Sequence, residues 1–136
     1  MDKIILDVFN KDFLVTIKDY KKIHLDLNQG TYYTIKSGGK KVGVIGFFKM
    51  GEDGNPGLKI GIHQDFRGQG IFGKALELLV KKHKFNKIYS ELAKSNIVSV
   101  KAHKKIGFKR ISEKKEDLLK EKGLAYKRSM MFVKKF

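Results

Sequence analysis
Residues 3–9 alternate around Ile4, Leu6 and Val8, the two-residue period of a half-buried strand. After Asn10, a residue type that caps helices, Phe13, Leu14, Ile17, Tyr20 and His24 fall three or four apart. That spacing predicts a helix over 11–25, with a strand over 12–17 as the competing reading. Between Thr31 and Met50 the pattern changes to two β-rich runs, 32–35 and 42–48, joined by Ser37-Gly38-Gly39-Lys40. Gly-Gly between such runs predicts a tight hairpin. The stretch 51–57 is dense in turn formers and leads into a run over 58–62, the third of three consecutive antiparallel strands. Beyond Gly70 the period becomes helical, with Phe72, Ala75, Leu76, Leu79 and Val80 on one face as far as His83. A short strand is expected over 87–91 and a helix over 96–106, ended by Gly107. Strands over 108–112 and 125–133 follow, separated by the polar stretch 113–123.

Strands first, then β-α-β-α-β-β, with neither repeat nor low-complexity tract, predicts a mixed α/β (α+β) fold. The 136 residues fit a single domain with one active site. No apolar run reaches the roughly 20 residues of a membrane helix. The first seven residues read as a strand and lack the basic flank of a signal peptide. No membrane partner and a cytoplasmic location are the expectations. The chain has no cysteine, which removes disulfides, thiolate metal ligands and a cysteine nucleophile; its four histidines are scattered, so no metal is expected.

The formal net charge of +16 raises nucleic acid, an anionic membrane or a phosphorylated ligand as partners. Residues 67–110 hold twelve Lys/Arg against two acids, whereas 1–66 hold ten against eight and 111–136 eight against four. Only Arg67, Arg110 and Arg128 of the 30 basic residues are arginine, the type whose bidentate fork reads phosphates and bases. A lysine-biased, solvated surface accounts for much of the charge, and nucleic acid is not the expected partner. The concentration between 67 and 110 calls for another reason.

That reason lies in Arg67-Gly68-Gln69-Gly70-Ile71-Phe72-Gly73, a glycine-rich turn at the start of a helix. Glycines let the backbone take positive φ and approach a ligand closely, and a helix N-terminus offers N–H groups and partial positive charge to an anion. A pyrophosphate suits such a loop. Residues 68–73 also match the dinucleotide pattern G-x-G-x-x-G, with Glu91 near the place of a ribose-binding acid. Five residues separate the strand from the first glycine, however, and the 63 residues after Gly73 are too few for a doubly wound sheet, which ranks an NAD-dependent oxidoreductase third.

Ile62-His63-x-Asp65-Phe66-Arg67-Gly68-x-Gly70-Ile71 followed by a helix resembles the acetyl-CoA motif of the GNAT superfamily of N-acetyltransferases, Arg/Gln-x-x-Gly-x-Gly/Ala. The last small position holds Phe72, with Gly73 beside it, and the Phe72 side chain is expected to turn into the core. A second block, Glu91-Leu92, Asn96, Ser99, His103 and Gly107-Phe108, resembles the family's strand and helix running to Gly-Phe. The two blocks span residues 58–109; residues 10–30 match less well. The resemblance implies a mostly antiparallel, twisted sheet flanked by helices and an N-acetyltransferase that uses acetyl-CoA as cosubstrate. Ile62, His63, Arg67, Gly68, Gln69, Gly70, Ile71, Phe72 and Gly73 would bind it, with Asn96 on the pantetheine arm or capping its helix.

The implied reaction is direct attack of a primary amine on the thioester, helped by a backbone N–H near Ile62 and His63 that binds the oxyanion. His103 stands where the family often has a tyrosine that protonates the leaving thiolate; a structural histidine is the favoured alternative. Glu91, the one acid between Glu77 and Glu113, would be the general base or a carboxylate paired with surrounding lysines. His63 has a structural role in this reading. The acceptor is not identified, and both a monomer and a homodimer fit. A non-catalytic basic module that binds acyl-CoA or nucleic acid is the alternative function.

Overall fold
Among the described residues, seven strands and four α-helices form a mixed, mostly antiparallel fold. The computed structural model describes residues 2–50, 54–126 and 128–136. They fall into two compact units, Met1–Phe48 with Leu58–Lys84 and Lys49–Gly57 with Phe85–Phe136.

In the first unit β1 (Ile4–Val8) pairs antiparallel with β2 (Gly30–Ser37), and β2 with β3 (Lys40–Met50). Gly38 and Gly39 turn the hairpin with φ of +56° and +82°, the left-handed pair whose twist matches the strands. β4 (Asn55–Ile62) starts earlier than its sequence suggests, and 51–53 of the expected turn lie outside the described residues. The helical period after Gly70 becomes α2 (Ile71–His83), which packs on β1 and buries Ile71, Ala75, Leu76, Leu79 and Val80. Ile71 therefore takes the core place expected of Phe72, which is half-buried.

The helix expected over 11–25 is broken. Asn10 caps α1 (Lys11–Leu14) by accepting from the Phe13 N–H at 2.9 Å, as its type suggests. The helix stops there: Thr16 Oγ1 bonds back to the Phe13 carbonyl, which competes with the next helical bond, and Asp19 is left-handed. A 3₁₀ turn over Tyr20–Ile23 carries the rest of the apolar spacing. Leu14 and Ile17 still reach the core beside Val44.

In the second unit Gly57 pairs parallel with Tyr89 of β5 (Lys87–Ala93), and β5 pairs antiparallel with β7 (Ser129–Lys135) along its whole length. Only Lys109–Arg110 of the strand expected over 108–112 is a strand, β6, beside β7. α3 (Ile97–Lys105) lies where the sequence places a helix. The polar stretch is a correction: it forms α4 (Glu113–Glu121), capped by Ser112, whose Oγ accepts from the Lys115 N–H. Ile88, Leu92, Phe108, Met131 and Phe132 form the core of this unit. No helix among the described residues is long and apolar enough to cross a membrane.

Candidate functional site
The first unit carries the glycine loop. β4 ends at Ile62, a 3₁₀ turn runs over Gln64–Phe66, and Arg67-Gly68-Gln69-Gly70 leads to the first residue of α2. Gly68 and Gly70 have φ of +79° and +74°, and nothing lies within 4 Å of where a Cβ on either would stand. Gly70 is the N-cap, gives the helix no side-chain acceptor, and no acid sits in the first turn. An α-helix leaves its first N–H groups without intrahelical partners. With a glycine at the cap and no acid in the first turn, the loop suits an anion supplied from outside.

Arg67 fixes this geometry. Its Nε donates to the Ile62 carbonyl at 3.0 Å, closing the loop on the end of β4. The His63 N–H donates to the Val42 carbonyl at 2.8 Å, so of the two amides considered for the oxyanion this one already has a backbone partner. Successive amides of a strand point to opposite sides, so the Ile62 N–H faces away from β3, on the side where Arg67 reaches the Ile62 carbonyl. The His63 ring caps the 3₁₀ turn by accepting from the Asp65 N–H at 3.1 Å, and stacks on Phe13 with centroids 6.0 Å apart. Gln64, to which the sequence reading assigned no role, bridges two backbone groups far back in the chain: its Oε1 accepts from the Lys18 N–H at 2.9 Å, and its Nε2 donates to the Thr16 carbonyl. A glutamine in a polar loop carries no periodic signal that would have found it.

The second unit holds Glu91, Asn96 and His103. Asn96 caps α3 through Oδ1, which accepts from the Ser99 N–H at 3.2 Å. Glu91 Oε2 accepts from the Tyr126 N–H at 2.6 Å and from Ser129 Oγ at 2.5 Å, gripping the start of β7. The carboxylate thus ties β5 to the chain that leads into its neighbouring strand.

His103 is 1% exposed and is the buried residue of α3. Its Nδ1 lies 2.8 Å from the Ser99 carbonyl, an acceptor, so Nδ1 carries the proton and Nε2 accepts from Ser90 Oγ at 2.9 Å. The ring also meets Phe108 edge-on, with centroids 4.9 Å apart. Burial pushes its pKa down to about 4, against a smaller opposing effect of the Ser99 bond. The ring is neutral at pH 7, and its one proton is held by a backbone carbonyl. That arrangement anchors a helix whose exposed Ile97 and Val98 contribute little to the core.

A pH dependence follows. The unfolded chain takes up a proton on this histidine below about 6.5, whereas the folded chain does so only near 4. Stability present above the higher value is lost as pH falls through that window, by about 3 kcal/mol. His83, whose pKa is lowered first by burial and then by Lys82, acts in the same direction. Urea unfolding at pH 7 and pH 4.5 is expected to give a steep loss for the wild type and a shallower one for His103→Gln. Equal slopes for the two proteins would contradict the neutral, buried ring.

Among the described residues no group of three or more His, Cys, Asp or Glu side chains is placed to hold a metal ion.

Comparison with known proteins places these features in a family. A model of the acetyltransferase (GNAT) domain matches residues 12–109. No curated protein matches the sequence. Among solved structures, an acetyltransferase of Bacillus subtilis in complex with CoA is 17% identical, with a TM-score of 0.69 over 100% of this chain and 99% of that one. An IAA acetyltransferase of Bacillus cereus is also 17% identical, with a TM-score of 0.68 over 98% of this chain and 100% of that one. A spermidine N-acetyltransferase chimera from Vibrio cholerae and hSSAT is 14% identical, with a TM-score of 0.64 over 97% and 95% of the two chains. The family match covers both the glycine loop with α2 and the block from Glu91 to Phe108. The chain belongs to the GNAT acetyltransferase family.

Proposed function
We propose that residues 1–136 form one N-acetyltransferase domain that moves an acetyl group from acetyl-CoA to a primary amine by direct attack. The observation that carries this reading is the start of α2. Two glycines with positive φ stand there with open space over them, at a helix end with neither side-chain cap nor acid. A pyrophosphate fits that environment, and the lysine excess over 67–110 supplies a favourable field. The backbone from Arg67 to Gly73 would hold the pyrophosphate. When bound, acetyl-CoA supplies the thioester.

The acceptor must present a neutral amine, since an ammonium has no lone pair. It loses one proton to water, its nitrogen bonds to the acetyl carbon as the C–S bond breaks, and a second proton reaches the departing sulfur. The Ile62 N–H is the donor we assign to the developing oxyanion. Glu91 and His103 serve as positioning groups in this scheme: the first holds β7 and the second holds α3, while water carries the protons. His103→Gln should then lower activity without moving the pH optimum, because no titration of its ring enters the chemistry.

Calorimetry with acetyl-CoA, CoA and NAD tests the cofactor, and release of free thiol on adding amines tests turnover. Micromolar acetyl-CoA binding with thiol release is the expected result. Binding without turnover on any amine would favour the non-catalytic acyl-CoA module, and preference for NAD would overturn the reading.

A further inference from the structure
β1 ends the strand order of the sheet, and among the described residues it pairs with β2 alone. Between β1 and α2 runs an open groove of about 350 Å³. We infer that this edge and groove bind an extended, acidic segment of a partner protein, which adds a strand to β1. The inference does not depend on acetyl transfer.

The main chain offers the first half of such a site. In an antiparallel pair, successive residues turn their N–H and C=O groups alternately toward the partner strand and away from it. The Gly38 N–H donates to the Lys3 carbonyl at 3.2 Å, so Lys3, Ile5 and Asp7 face β2 while Ile4, Leu6 and Val8 turn outward. Val8 agrees: its N–H donates to Asp7 Oδ1 at 2.8 Å, on the open side. That bond caps one outward amide locally; among the described residues those of Ile4 and Leu6 have no strand to pair with. A proline, a bulge or a covering element blunts many edge strands. β1 has no proline and keeps a regular register with β2.

The groove supplies the second half. Ile4 and Leu6 of β1 and Leu78 of α2, all half-buried, contribute its apolar part, and Lys3, Lys81 and Lys82 its charge; no acid lines it. Lys82 lies over the Tyr33 ring at 5.6 Å, whereas Lys3 and Lys81 are in no ion pair among the described residues. The acid of β1, Asp7, is already paired with Lys36 at 2.7 Å. A second copy of the chain would bring the same three lysines against these, and a net charge of +16 against its like. An acidic segment meets opposite charge instead, and its apolar side chains cover the leucines. Main-chain bonds along the edge supply affinity, and the lysines and leucines supply selection.

Fluorescence anisotropy of labelled, end-capped heptapeptides at low ionic strength tests this. The probe carries Val-Leu-Val between two glutamates at each end. One control replaces the glutamates by lysines, and another N-methylates the three central amides, which removes the donors a strand needs. The glutamate peptide should bind at least about tenfold more tightly than either control. Lys3→Glu combined with Lys81→Glu, both at exposed positions, should raise its Kd at least about tenfold. Ile4→Pro removes one outward N–H at the first residue of the strand, where proline is tolerated, and should also weaken binding. Should its melting temperature show that this variant misfolds, the N-methylated peptide puts the same question from the ligand's side. The inference is overturned if the glutamate peptide does not bind, if the lysine or N-methylated peptide binds equally well, or if the double charge reversal leaves the Kd unchanged. Sedimentation of the chain alone tests the second copy: a dimer that Ile4→Pro dissolves would assign the edge to self-association and overturn the acidic partner.

Discussion

Gly70→Asp should raise the Kd for acetyl-CoA at least about a hundredfold in calorimetry and lower the melting temperature by a few degrees. The two effects have separate causes. Gly70 sits at φ +74°, where a residue with a Cβ is strained by about 1–2 kcal/mol, a cost the folded chain bears with or without ligand and that shows as lost stability. The added carboxylate would stand at the cap of α2, facing the place proposed for a pyrophosphate, where like charges cost a few kcal/mol at the dielectric of a protein surface. About 3 kcal/mol of that repulsion corresponds to the hundredfold loss. Gly70→Ala separates the two terms: it carries the strain without the charge, so it should melt lower while its acetyl-CoA affinity stays close to that of the wild type. Because nothing lies within 4 Å of the new Cβ, neither variant creates a clash. Unchanged acetyl-CoA affinity in Gly70→Asp would remove the glycine loop from the cofactor site.

The second large effect concerns stability. Glu116 is 3% exposed, and its carboxylate accepts from Arg110 Nε at 3.0 Å, from Arg110 Nη2 at 2.8 Å and from the Met131 N–H at 2.9 Å. One buried acid therefore ties α4 to β6 and β7. Glu116→Ala leaves the Met131 amide without its acceptor and deletes the bidentate pair, at a cost of about 3 kcal/mol. Glu116→Gln keeps the shape and one acceptor oxygen and should lose less. Arg110 is the main reason that the Glu116 pKa lies below its ordinary value of 4.5, ahead of the opposing effect of burial. The stabilisation is therefore complete above that value and is lost as pH falls below it, under the window in which His103 acts. Urea unfolding at pH 7 reads the first difference directly. A Glu116→Ala protein as stable as the wild type would show that α4 docks by other means.

Much of this architecture was legible in the residues because its causes are local. A Gly-Gly pair between two β-rich runs makes a hairpin wherever it occurs, and Asn10 and Asn96 cap helices through amides three residues away. The apolar period of α2 carries its own buried face, and the glycines before it are explained by backbone angles alone. The cap at Ser112, with Glu113 and Glu116 in the next turn, was a helix signal of the same kind. It was overridden by the polarity of 113–123, because α4 buries an acid where a hydrophobic residue would have announced it.

What tertiary structure alone decided is which partners the polar side chains meet. Glu91 read as a base or as a carboxylate paired with lysines, and its oxygen accepts from Ser129, 38 residues on. His103 read as an acid or, preferably, as a structural histidine, and Ser90 across the fold and the Ser99 carbonyl hold it neutral and buried. Gln64 gained its role from a backbone amide 46 residues back, and Ile71, not Phe72, is the residue of the first turn of α2 that is buried. Spacing along a chain fixes which face of an element a residue occupies. Which group meets that face, and how far water is excluded from it, depends on segments distant in sequence, and those two quantities set whether a carboxylate or an imidazole reacts or holds the fold together.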